Sequence, residues 1–71
     1  MLSEQEKLRV LLPHWQEHNA EHAAEFRAWA EKAGPARQEL LAAAEHLEAA
    51  NQALQAALAQ LGGPLPAEHH H

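Results

Sequence analysis

Residues 35–61 read PARQELLAAAEHLEAANQALQAALAQL, and within them Leu40, Ala44, Leu47, Asn51, Leu54, Leu58 and Leu61 recur at alternating spacings of four and three. That rhythm is the seam of an antiparallel or coiled-coil helix packing. It predicts a helix from about Pro35 to Leu61. Gly62-Gly63-Pro64 ends it, because glycine accepts a left-handed cap and proline cannot continue a helix. Asn51 is the one polar residue in the seam, and a buried asparagine there fixes register and oligomeric state.

Upstream, Gly34-Pro35 separates this helix from another. Ser3 followed three residues later by Glu6 forms a capping box, in which the hydroxyl and the carboxylate each satisfy a free backbone donor. A first helix therefore starts near Ser3 and runs to about Ala33. Pro13 lies inside it and predicts a kink, or a short leading helix that stops near Leu12. Advancing about 100° per residue gathers Leu8, Leu11, Trp15, His22, Phe26, Trp29 and Ala33 into one stripe, the expected partner of the leucine seam. A connection as short as Gly34-Pro35 makes the helices antiparallel, pairing His22 with His46 and His18 with Asn51.

The fold class that follows is all-α: an antiparallel helical hairpin over residues 1–63, with residues 64–71 an extended tail. A single hairpin buries one face of each helix, a thin return for the entropy of ordering both. Ala43, Ala50, Ala53 and Ala57 form a small-residue flank beside the seam, so the expected assembly is a homodimer of hairpins making a four-helix bundle.

Composition narrows the function. The chain has 71 residues and no cysteine, with aromatics at only 4%. It is too short for a separate catalytic domain and lacks thiolate metal sites, so the expectation is a protein that is not an enzyme. Ten acidic residues, all glutamate, outweigh five Lys plus Arg, giving a formal charge of −5. Arg9, Arg27, Lys32 and Arg37 are too scattered for a phosphate surface, which argues against nucleic acid. No segment approaches the roughly 18 apolar residues of a membrane span, and the N-terminus lacks the blocks of a secretory signal. A cytoplasmic location is expected. Ala67-Glu68-His69-His70-His71 reads as the stump of an expression tag.

Chemistry concentrates in residues 14–25, three successive copies of a four-residue unit that begins with histidine and ends with glutamate: His14 to Glu17, His18 to Glu21, His22 to Glu25. On a helix each four-residue step climbs about 6 Å and turns about 40°, so the imidazoles form one slanting row. Histidines four apart can share one metal ion, as in the helical pair of zinc metalloproteases. The candidate ligands are His14, His18 and His22, helped by His46 and by Glu21 or Glu25. Neutral imidazole and carboxylate suit Zn(II), Ni(II), Co(II) or Cu(II). The order His-x-x-Glu is the reverse of the Glu-x-x-His of di-iron bundles, which argues against oxidase chemistry. No Ser/His/Asp set or phosphate-binding glycine loop is present. The competing reading is a structural or protein-interaction hairpin whose histidines are incidental, since Glu and His at helical spacing usually make a solvated face. A third is an assembly that loosens in acid as clustered imidazoles become repelling cations.

The segment Leu11 to Phe26 resembles short, uncharacterised prokaryotic helical proteins that share a core close to His-Trp-x-Glu-His-Asn-x-Glu-His-x-x-Glu-Phe. The likeness covers most of residues 8–61. Some of those proteins carry a His-rich extension or have nickel/cobalt transport neighbours, so the resemblance implies a role in metal handling and a metal-transport partner.

Overall fold

The computed structural model describes residues 1–66; the expected tag remnant lies outside them. Two helices, α1 (Glu4–Ala30) and α2 (Arg37–Leu61), pack antiparallel across a 3-10 turn at Gly34–Ala36. The protein is an all-α helical hairpin.

α1 begins as the capping box demands: the Ser3 hydroxyl accepts from the Glu6 amide at 3.0 Å and the Glu6 carboxylate accepts from the Ser3 amide at 2.9 Å. The helix continues through Pro13 without a break, so no leading helix ends at Leu12. It does stop three residues before Ala33. The Lys32 and Ala33 amides donate to the Trp29 and Ala30 carbonyls, a tightened last turn, and Gly34 then takes φ 57°. Pro35 belongs to the 3-10 turn rather than to the first turn of α2, which moves the start of α2 to Arg37.

At its far end α2 closes on Gly62, left-handed at φ 107°, with the Gly63 amide donating to Leu58 O at 2.9 Å. A feature of the opposite helix completes this cap. Arg9 Nε donates to Gly63 O at 2.7 Å and its Nη2 to Gly62 O at 3.2 Å, setting a cation on the electronegative end of α2. The Leu65 amide also donates to Arg9 O at 3.3 Å, so the residues after the cap fold back onto α1.

The core is small. Leu12, Ala23 and Ala30 from α1 meet Ala44 and Leu58 from α2, and among the described residues these alone are fully buried. Half-buried Leu40, Leu47, Asn51, Leu54 and Leu61 complete the α2 seam as expected. Of the stripe expected of α1 only Phe26 and Ala33 are half-buried, and the rest does not face that seam. Leu8, Leu11, Trp15 and Trp29 are 36%, 41%, 44% and 63% exposed, and His22 is exposed with them. The inward face of α1 is instead Leu12, Gln16, Asn19, Ala23, Phe26 and Ala30, rotated by about 80°.

The reason lies at Asn51. Its Nδ2 donates to Gln16 O at 2.9 Å, its Oδ1 accepts from Asn19 Nδ2 at 3.0 Å, and Gln16 Nε2 reaches Gln55 Oε1 at 3.0 Å. A half-buried amide in the α2 seam requires polar partners across from it. Asn19 and Gln16 supply them, and their face turns inward. The expected pairing of His18 with Asn51 is corrected by one residue, to Asn19.

The hairpin consequently has two unlike broad faces. Arg9 with Gly62 and Gly63, Gln16 with Gln55, and Arg27 with Glu48 at 2.7 Å all bridge the helices on one of them. Projecting the residues at about 100° each places Leu8, Leu11, Trp15, His22 and Trp29 on the other face, beside the Ala43, Ala50 and Ala57 flank of α2. The Arg27 hydrogen bond holds the Glu48 carboxyl below the usual carboxylate range. A lowered acid contributes stability at neutral pH and loses it as pH falls through its own titration. Both partners are solvated, so that contribution is small.

Two outcomes are expected in urea unfolding followed by circular dichroism. Asn51→Ala costs about 1–2 kcal/mol by stranding its amide partners, while Gln52→Ala, on an exposed neighbour, changes little. Gly62→Ala costs about 1 kcal/mol, because alanine resists the left-handed cap, and its Cβ meets the Arg9 guanidinium at 3.4 Å.

Candidate metal centre

Because α1 is unbroken through Pro13, His14, His18 and His22 lie on one continuous helix, and all three are exposed. Glu17, Glu21 and Glu25 are exposed as well. The third unit of the repeat is closed. His22 Nδ1 stands 3.1 Å from Glu25 Oε1, and the imidazole stacks on Phe26 with ring centroids 6.3 Å apart. With its proton on Nδ1, His22 donates to that carboxylate and directs the lone pair of Nε2 outward. A carboxylate on the far nitrogen is the arrangement that orients metal-ligating histidines in general. In this geometry the Glu25 carboxylate is engaged with His22.

His18 leans toward the outer edge of the apolar face and His14 lies further round, away from α2. His14 and His18 make no side-chain hydrogen bond among the described residues. His46, on α2, is exposed and lies on the alanine flank. Among the described residues no three His or Glu side chains of one chain are gathered around a common point. The row supplies donors at helical spacing, and two imidazoles of one turn can converge on an ion by rotamer change alone.

The sequence reading missed Arg9. Its signal was a lone arginine two turns into α1 in a chain whose second helix ends in glycine, and only the antiparallel register brings the two together. The other cations are engaged too: Arg27 with Glu48, Arg37 Nη2 with Glu31 at 3.7 Å, Lys7 with Glu4 at 3.9 Å, and Lys32 over the Trp29 ring at 5.7 Å. No helix among the described residues is long and apolar enough to cross a membrane.

Fold and side-chain row together define a two-helix, histidine-bearing hairpin. Residues 8–61 match the family model described as Domain of unknown function (DUF8180), and the chain belongs to that family. No curated protein and no solved structure matches the chain.

If Glu25 orients His22, removing it frees the ring. Glu25→Ala is expected to lower the share of His22 carrying its proton on Nδ1, read from imidazole nitrogen chemical shifts at pH 8, because the acceptor that favours that tautomer is gone. An unchanged tautomer ratio dismisses the pairing in solution.

Proposed function

We propose that the protein is a small non-enzymatic module that binds a divalent transition metal, one of Zn(II), Ni(II), Co(II) or Cu(II), for buffering, sensing or delivery. It works as a homodimer in the cytoplasm, alongside a metal-transport partner. The observation that carries this reading is the His22–Glu25 contact, which leaves one ring nitrogen of His22 available at a spacing of one turn from His18. The ligands are His18 and His22, with His14, His46 and Glu21 as further donors and Glu25 oriented as the support of His22. The chain has no cysteine thiolate, so the site favours ions that accept imidazole nitrogen and carboxylate oxygen.

A second reading has its own support. Leu8, Leu11, Trp15 and Trp29 stand in water on one side of α1, and exposed aromatic and leucine side chains in a row are what helix-recognising partners bind. On that reading the hairpin is a structural or interaction module and the histidines are incidental.

Calorimetric titration of protein ending at Pro66 with each of the four ions separates the two. Binding is expected, weakened at least tenfold by His18→Ala and by His22→Ala, and weakened about 10-fold or more by Glu25→Ala through loss of ring orientation. Protons compete for the imidazole nitrogens, so affinity falls as the solution is acidified. Undiminished affinity in both histidine variants, or no heat with any ion, rejects the metal reading and leaves the interaction module.

A further inference from the structure

We infer that the exposed face of the hairpin is the docking surface for a second copy of this chain, lying antiparallel with its dyad passing between His18 and Asn19 of α1 and through Ala50 of α2. Three observations lead there. The molecule measures 50 × 30 × 14 Å, so its thinnest dimension is that of a single helix layer, whereas a stable domain ordinarily stacks two. Two helices of about 40 Å laid side by side offer a face of about 800 Å², one partner's share of a standard interface. And the face that remains open is the one with the large apolar side chains, the polar cross-links being confined to the other.

The sequence of that face specifies the partner. Reversing α1 about the point between His18 and Asn19 exchanges Leu8 with Trp29 and Trp15 with His22, and brings Leu11 opposite half-buried Phe26 at the inner edge of the face. A stripe that reads as its own complement when turned end to end is the condition for an isologous two-fold contact. α2 obeys the same operation: reversal about Ala50 exchanges Ala43 with Ala57. The two midpoints lie within about 2 Å of one height in the hairpin, because Asn19 and Asn51, each next to a midpoint, are joined at 3.0 Å. One axis therefore serves both helices. It also sets Trp29 of the partner subunit over the depression lined by Glu4, Lys7, Leu8 and Leu11, a seat for the most exposed aromatic of the chain.

The same axis has a consequence for the histidines, which rests on the metal reading above although the dimer does not. His18 of both copies stands beside the dyad, with His22 of each copy one turn away. Two imidazole pairs thus meet at the interface, and a ligand set that one hairpin leaves open is completed by the second copy.

The test uses metal-free protein first. Sedimentation equilibrium at tens of micromolar is expected to give twice the monomer mass, and Leu11→Glu or Trp15→Glu, both on exposed positions, to give monomers with unchanged helical circular dichroism. The chain has no cysteine, so Ala50→Cys, outside the metal donors, is expected to form a disulfide-linked dimer on air oxidation, while Gln52→Cys stays uncrosslinked. A monomer at these concentrations overturns the proposal, and a dimer in which Gln52→Cys crosslinks as readily as Ala50→Cys overturns its register. Titration with Zn(II) then reads the shared site: one ion per two chains supports it, one ion per chain that survives in the Trp15→Glu monomer removes it. Absence of zinc binding with the dimer intact rejects the metal reading alone.

Discussion

A single half-buried asparagine governs the geometry of this hairpin. Asn51 occupies a position that the leucine rhythm of α2 turns toward α1, and an amide placed there is costly unless its donor and acceptor are both met. Asn19 and the Gln16 carbonyl meet them. Satisfying that one group fixes both the height at which the helices pass and the rotation of α1 about its own axis. Everything else on α1 follows from this rotation: alanines 23 and 30 turn inward and let the backbones approach, and the tryptophans turn out.

The parts of the fold readable from sequence are those decided locally. The capping box, the glycine closure of α2 and its seam depend on residues within a turn of one another, and each stands where the spacing placed it, whereas α1 ends at Ala30, ahead of Gly34. What the sequence did not yield was the facing of α1. Its hydrophobic pattern is real, yet a stripe states only which side chains gain from leaving water, not which neighbour covers them. The polar residues Gln16 and Asn19 carried the decisive information, and they are informative only once Asn51 is known to lie opposite. Arg9 was illegible for the same reason, since its partners are carbonyls more than fifty residues away. The histidine repeat was legible as a row on one helix. Its relation to an ion was not, because coordination depends on rotamers and on donors from outside the row.

The rotation also separates two kinds of work on one small molecule. One face holds the helices together through hydrogen bonds and an ion pair that need no apolar area, so the other face is not needed for cohesion within the chain. His18 and His22 sit within or beside this second face, close to Trp15 and Phe26, where a dry surround would strengthen any charge-based contact they make. A hairpin that had spent its aromatic side chains on its own core would have no such surface.

The bond between Arg9 and the carbonyls of Gly62 and Gly63 gives the hairpin a second closure, opposite the glycine turn. A two-helix unit tied only at its turn opens from the free end like a zipper, with protection against exchange declining along its length. Tied at both ends it is topologically a ring, and the loss of chain entropy on re-forming any middle segment is correspondingly small. The register set by Asn51 is thus held from both sides, and slippage by a turn requires the guanidinium to let go before any seam contact can move.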